Sequence, residues 1–511
     1  MEQKGSTVLK RDTNQALGLG EYAINFLKNG NPSDKVIERV KLFHTDSIFC
    51  GLSALAQKTN APHVLQREAL EYQKPSTATS NAGYAKCLSR TEYCAIEKVI
   101  AANCSAVREW DSNGTVFGYR EGVKGHMAGE FGHNDFYPVI IAAAHQNPSI
   151  DGKLAVKAMI LIDEIRGRLA EVFSLKTYKI DHVVHGAIAA AATYGALMGA
   201  TAEQIESAIG MFVAHYIPFR AIRAGKQLSD SKGASAAIST EAAISCIRRS
   251  MKGFVGPKDI FRNPESIFRL NEPTKGDSPF DLILATEGDD FAVMGMHFKI
   301  GLYEHQSAGA IEGVMRLLTE HKFLEYNNPD CIESIKILAY EPAFGIIGDP
   351  AKKNPTTRQS ADHSMVYIIA TLLKKALQIE DFNKREFKKF DEVWKLLMLY
   401  PKDYGYEGVY DPITRKLMDK MIFEHGGPEY DAKYPDGIPT SIQIKTKDGK
   451  VIDSGMVMYP AGHARNKEAD LNDILEHKFK LMASLGIKKD DVAGLIGRLN
   501  KLDTLSNQDL Q

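Results

Sequence analysis

Five short clusters of polar residues in this chain have side chains suited to moving protons or holding anions. The first is Arg108-Glu109-Trp110-Asp111-Ser112-Asn113-Gly114-Thr115, followed by Glu130-Phe131-Gly132-His133-Asn134-Asp135. The second, Asp181-His182-Val183-Val184-His185-Gly186, opens an apolar run, and the third joins Arg223-Ala224-Gly225 to Leu228-Ser229-Asp230-Ser231-Lys232-Gly233. Phe298-Lys299-Ile300 leads to His305-Gln306 in the fourth, and the fifth pairs TRQSADHS (357–364) with YPAGHARN (459–466). Removing a proton alpha to a carboxylate needs a base with a pKa near neutrality, and histidine is the commonest choice. His133 and His182 are therefore the candidate proton-transfer groups. Lys232 and Lys299 can supply fixed positive charge for carboxylates and for a developing enediolate. Asp111 can orient or recharge a histidine.

Each of these residues also has an ordinary structural use. Asp111 and Thr115 are good helix caps, as are Asp362 and Ser364 ahead of the apolar run at 365–377. A lone histidine is more often bonded to a backbone carbonyl than catalytic, and lysines are more often solvated. What decides between these uses is whether the side chains converge.

Other chemistries lose their usual support. There is no G-x-S-x-G elbow, no P-loop and no H-E-x-x-H, and Gly18–Gly20 is followed by Ala23 where a dinucleotide fingerprint needs glycine. The six cysteines include no C-x-x-C pair, so neither a disulfide framework nor a thiolate metal site is expected, and an iron–sulfur cluster would lack ligands. A formal net charge of -1 with no long basic run argues against nucleic acid or an anionic membrane as partner. No apolar stretch reaches the length of a membrane span, and the N-terminus carries no signal-like apolar region. The C-terminal Asp-Leu-Gln is not a peroxisomal address, and a cytoplasmic location is the expectation.

The elements that must position these groups are mostly helical as far as about residue 280. Val36, Val40 and Phe43 recur at helical spacing after Asn31-Pro32-Ser33-Asp34. Helices are predicted over Val156–Phe173 and His182–Met198, the latter apolar almost all round, and Thr201-x-x-Gln204 is a capping box for a helix to about His215. Beyond residue 280 the texture is mixed. Phe291–Lys299, Ser334–Tyr340, Ile442–Thr446 and Val451–Met458 read as strands, with Asp448-Gly449 as a hairpin turn. Ala308–Leu318, Ala361–Leu377 and Lys467–Leu485 read as helices. The expected fold class is mainly α with an inserted α+β domain. A large helical domain takes in residues 1–290 and 461–511, and an α+β lid spans 291–460.

The clusters, in order over roughly residues 20 to 490, resemble the MmgE/PrpD family. Arg108-x-x-Asp111-x-Asn113-x-Thr115 resembles its R-x-L-D-x-N-D-T segment, and His133 the histidine of the G-H-P-S-D motif that follows. Asp181-His182 is similar to its D-H segment, Ser229-x-x-Lys232 to L-S-x-W-K, and Lys299 to its F-K before a histidine. Thr357–Ser364 is close to R-E-T-A-D-H-S-L and Tyr459–Arg465 to Y-P-x-G-H-x-R; these two are the most specific. The resemblance implies a helical domain with a smaller lid, usually as a homodimer, with no metal or organic cofactor. It implies catalysis by His133, His182, Asp111 and Lys232, with Thr115, Lys299, His305 and Arg108 binding substrate. The expected reaction is dehydration of a small tricarboxylate of the 2-methylcitrate type.

Decarboxylation of a cis-aconitate-like acid, isomerisation or epimerisation on the same scaffold, and a catalytically degenerate ligand binder are the alternatives. The chain departs from the family pattern at Gly114, where the second aspartate is missing, at Asn134-Asp135 after His133, and at Ser231 in place of tryptophan. It also carries a glycine-rich segment over 116–132, which is expected to border the pocket with His126 near its rim.

Overall fold

The computed structural model describes residues 5–223 and 227–511. Met1–Lys4 and Ala224, Gly225 and Lys226 lie outside the described residues, and with them part of the third polar cluster. The helix that is apolar on every side forms over Val183–Leu197 and is buried except at Ala196. Such a helix has no face to offer water, so it must be enclosed by others. Gln15–Asn29, Gly152–Val172, Ala202–His215 and Asp230–Met251 pack around it. The capping box closes as read. Gln204 N donates to Thr201 Oγ1 at 3.2 Å, and Thr201 N to Gln204 Oε1 at 2.9 Å.

Asp34–Ala56 packs against Ile96–Arg108, whose C-terminal end delivers Asp111. The C-terminal helices Leu471–Ala483 and Lys489–Leu499 return to the Asp34–Ala56 helix, and Leu502–Thr504 lies on Gly152–Val172. Lys478 fixes that return. Its buried ammonium donates to Asp46 Oδ1 at 2.6 Å, Ser112 O at 2.6 Å and Lys299 O at 2.8 Å. One tail residue thereby ties together the segments that carry Asp111 and Lys299.

The mixed section contains a four-stranded sheet in the order Met421–His425, Ile332–Ala339, Thr440–Thr446, Val451–Asp453. The first pair is parallel and the other two are antiparallel. Ala308–Glu320 covers the Thr440–Thr446 strand. Asp448-Gly449 makes the hairpin turn, with Gly449 at φ +85°.

Three expectations need correcting. Phe291–Lys299 is not a strand: it holds a 3-10 turn over Ala292–Gly295, and His297 makes only an isolated bridge to Thr115. Phe291, Ala292, Val293, Met296 and Phe298 are all buried there, so the apolar run reflects enclosure on several sides rather than a sheet face. The strand expected over Val451–Met458 ends at Asp453, before Gly455 turns the chain at φ +64°. The helix expected over Ala361–Leu377 is broken into Arg358–Ala361 and Met365–Leu377. Ser364 caps the second piece through Tyr367 N, which frees Asp362 and His363 for other contacts.

Candidate active site

The two expected histidines come together. The antiparallel ribbon of Thr115–Phe117 and Phe131–His133 presents His133, and His182 stands at the N-terminus of the Val183–Leu197 helix. Their ring centroids are 5.1 Å apart, with the planes at 67°. Both rings line a cavity, together with Lys232, His363, Glu304 and Lys352. Arg220, Arg223, Gln306 and the apolar groups Phe117, Phe131, Leu228 and Ile346 complete the wall.

Neither ring nitrogen of His182 makes a hydrogen bond among the described residues. Asp181 Oδ1 lies 3.4 Å from its Nδ1. Asp181 is itself held by Arg223. His133 Nδ1 lies 3.5 Å from Lys299 Nζ. Burial, reinforced by Arg108 and Lys299, pushes the His133 imidazole well below its ordinary pKa. Burial also dominates at His182, where Arg223, Arg108 and Arg220 oppose the help of Asp181. Both rings are therefore neutral at neutral pH, able to accept a proton but unsuited to act as resting imidazolium acids.

Beneath the cavity lies a dense ion network centred on Asp111. This residue sits just past the Ile96–Arg108 helix in the left-handed region, φ +50°, a conformation aspartate tolerates better than most residues. Its carboxylate pairs with Arg108 at 2.6 Å, Lys232 at 3.0 Å and His363 Nε2 at 3.1 Å, and it also meets Lys299. Burial alone would raise its pKa, but the charges of Arg108, Lys232, Lys299 and His363 together hold it well below the ordinary carboxylate range. Lys232 Nζ also reaches Asp362 Oδ1 at 3.2 Å and His363 Nδ1 at 3.0 Å. Among the described residues, Asp111, Asp362 and His363 are the group whose donor atoms converge closely enough for a metal ion. The Lys232 ammonium is within hydrogen-bond reach of all three, so a lysine takes the cation's position.

Local contacts explain why the carriers sit where they do. Arg358 donates to Glu109 O at 2.7 Å and pairs with Glu109 at 2.5 Å and Asp362 at 3.0 Å, clamping the ADHS segment to the Asp111 segment. Phe298 N donates to Gly462 O at 2.8 Å, which locates Lys299. Gly462 has φ +88°, and a Cβ there would lie 2.4 Å from Phe298 O, so the Y-P-x-G-H turn requires glycine. At Gly114 a Cβ would lie 2.4 Å from the Phe43 ring, which stacks on Phe298 at 3.8 Å. An aromatic ring thus fills the space beside Gly114, the position where the family pattern has an aspartate.

Of the expected site residues, His133, His182 and Lys232 line the cavity, while Asp111, Arg108 and Lys299 form the charged layer behind it. Thr115 pairs with His133 across the ribbon but is fully buried, its hydroxyl donating to Gly132 O at 3.2 Å. His305 does not line the cavity either; its buried ring stacks on His297 at 5.1 Å. The loop expectation holds at its base, where Phe117 and Phe131 line the wall. It fails for His126, which is buried against Glu171 at 2.8 Å because the loop folds back on the Gly152–Val172 helix. Glu304, Lys352, Arg220 and His363 were not anticipated as site residues. His363 lies in the ADHS run, which a helix cap alone would also explain.

The cavity thus has the makings of an acid–base site for a multiply charged anion. Four cationic side chains, Arg220, Arg223, Lys232 and Lys352, share its wall with one carboxylate, Glu304. The positive ends of the Val183–Leu197 and Asp230–Met251 helices also lie at it, through His182 and Lys232. The sequence profile of the MmgE/PrpD N-terminal domain matches residues 19–275 and that of the C-terminal domain residues 303–497. The chain belongs to the MmgE/PrpD family. It is 27% identical over 400 residues to a mitochondrial 2-methylcitrate dehydratase of Yarrowia lipolytica, covering 75% of this chain and 70% of that protein. It is 25% identical over 370 residues to 2-methylcitrate dehydratase of Escherichia coli K12, with 70% of each covered. The 2-methylcitrate dehydratase of Salmonella typhi is 24% identical over 461 residues, 85% of this chain and 83% of that protein. Among the described residues, no helix is long and apolar enough to cross a membrane.

Proposed function

We propose that this chain is a hydro-lyase that dehydrates 2-methylcitrate, or citrate, to the corresponding aconitate without a metal or organic cofactor. The observation that carries the reading is the facing pair of neutral histidines in a cavity walled by four cations. The relatives named 2-methylcitrate dehydratase support the choice of substrate. So do Phe117 and Phe131, whose rings meet at 5.3 Å in the cavity wall and offer a methyl substituent an apolar place beside the cationic groups.

In this reading the Lys232, Arg220 and Lys352 charges hold the substrate carboxylates. His182 is the base: Asp181, beside Nδ1, favours the tautomer that leaves Nε2 free to take the proton at carbon. Lys299, beside His133 Nδ1, favours the opposite tautomer there, so that His133 offers an N–H to a substrate oxygen. The enediolate that forms is stabilised by fixed charge already in place, the kind of preorganised electrostatics that supplies much of an enzyme's rate enhancement. The division of the chain into a helical body (1–290 with 461–511) and an α+β cover (291–460) belongs to the same reading. Contacts of the tail with the Asp34–Ala56 helix support it. A cytoplasmic homodimer is the corresponding expectation from the family.

The test is to incubate the purified, exhaustively chelated protein with 2-methylcitrate, citrate, cis-aconitate and related acids and follow each by proton NMR. Loss of water from 2-methylcitrate or citrate, unaffected by chelation, is the expected result. Loss of carbon dioxide instead would assign a decarboxylase. Activity that vanishes on chelation and returns with iron would overturn the cofactor-free mechanism.

A further inference from the structure

The dehydration needs an acid as well as a base, because hydroxide is a poor leaving group. Neither histidine is suited to that part, since burial and neighbouring cations keep both rings neutral. Glu304 has the geometry for it. It lines the cavity and is only 6% exposed. The other carboxylates around the site all have cation partners: Asp111 and Asp362 meet Lys232, Asp135 faces Arg108, Asp181 holds Arg223 and Glu109 holds Arg358. Among the described residues no cationic group comes within ion-pair distance of Glu304. Its contacts are neutral: Oε2 accepts from Gln306 N at 2.9 Å, Gln306 Nε2 approaches Oε1 at 3.4 Å, and its own N–H donates to Asp362 O at 2.9 Å. A buried carboxylate without a cation partner takes up a proton rather than remain charged.

We propose that Glu304, as a neutral carboxylic acid, is the catalytic acid that protonates the departing hydroxyl. The inference rests on the dehydratase reading. His182 takes the proton from carbon, the electron pair of that C–H bond becomes the new C=C bond, and the C–O bond breaks. The leaving oxygen keeps its electron pair and receives the Glu304 proton, so that water departs. Imidazolium and carboxylate remain, and transfer of one proton from His182 to Glu304, directly or through water, restores the starting state. Burial, added to by the Asp111 charge and opposed by Lys299, sets the Glu304 carboxyl at about 7, which allows the acid form at neutral pH and easy recharging. The groups facing it are Asp111 and Lys299 from the charged layer and Lys352, Tyr340 and Tyr434 from the residues beyond 330. His133, His182, Lys232 and His363 share its cavity.

The test compares two substrates, the hydroxy acid and its analogue with fluoride in place of the hydroxyl, since fluoride leaves without a proton. In E304Q, dehydration should fall by at least about 100-fold while elimination from the fluoro analogue stays within about tenfold of wild type, as expected when a positioned acid is removed. Equal losses on both substrates, or E304Q dehydrating at the wild-type rate, would overturn the proposal. The wild-type pH profile tests it without any variant. Above about pH 7, dehydration should decline along a limb that the fluoro analogue lacks. A limb common to both substrates would belong to a binding group such as Lys352 and would count against Glu304. Wild-type protein that dehydrates none of the acids, with E304Q folded and equally inert, would defeat the dehydratase reading itself.

Discussion

Two groups of buried histidines lie on either side of Phe117, and they are built differently. On the cavity side, His133 and His182 meet edge to face in the cavity wall, next to fixed cations. On the other side, His297, His305 and His463 are stacked: His297 lies 5.1 Å from His305 at 8°, and 4.1 Å from His463 at 24°. Phe117 packs against both His297 and His305. In the stack, His297 Nδ1 accepts from Ala464 N and His463 Nδ1 from Arg465 N, so two of the three rings serve as acceptors for the Y-P-x-G-H-A-R turn. Burial lowers the pKa of all five imidazoles. A depressed pKa therefore does not separate chemistry from packing. What separates them is open volume in front of the ring, and cations around it that a substrate can share.

The charged layer behind the cavity is where the contrast can be broken most forcefully. Asp111→Asn keeps the size and the tolerance for left-handed backbone but leaves Arg108, Lys232 and Lys299 without their shared counter-charge. Breaking a buried ion pair in this way costs about 3–5 kcal/mol, so a denaturant titration should find the variant destabilised by that order. The sign with pH follows from the depressed carboxyl. Its stabilising contribution is present above the ordinary carboxylate value of 3.8 and is lost as pH falls through the lower folded value. The gap in melting temperature between wild type and variant should therefore narrow below pH 3.8. A gap that widens on acidification would contradict the assignment of Asp111 as the anionic hub.

A smaller effect is expected at His126, which represents a third use of histidine, as a buried partner for a carboxylate. His126→Ala removes the contact with Glu171, but Arg168 still pairs with that carboxylate at 2.8 Å. A loss of about 1–3 kcal/mol in stability is expected, typical of a buried polar group left partly unsatisfied. Turnover of the folded variant should be unchanged, and a large drop in turnover would return His126 to the pocket rim.

Much of the site could be read from residue types in short clusters. His133, His182 and Lys232 stand out because they fall in polar clusters whose order along the chain resembles that of the MmgE/PrpD family. Of their carriers, the His182 helix is legible from its apolar run, whereas the short ribbon of His133 and the Asp230–Met251 helix of Lys232 have no comparable signal. What escaped the sequence has physical causes. Glu304 stands beside a histidine in a run without periodicity, and nothing local says that it lacks a cation partner. Lys478 looks like one more charge on an amphipathic helix until the tail folds back to bury it. The strand expected at 291–299 failed because a short apolar run buried on several sides, here around a 3-10 turn, has the same composition as a buried strand.

The most direct test uses two histidines one helical turn apart. His185 Nε2 bonds Phe173 O at 3.0 Å, whereas among the described residues neither His182 nitrogen has a hydrogen-bond partner, and its ring lines the cavity. Melting temperature and turnover of 2-methylcitrate are measured side by side for His182→Ala and His185→Ala. The account predicts that His182→Ala loses on the order of 100- to 10,000-fold in turnover at nearly unchanged melting temperature. His185→Ala should melt earlier yet turn over normally while folded. A folded His182→Ala protein with wild-type turnover, or a His185→Ala protein that loses activity without losing stability, would contradict it.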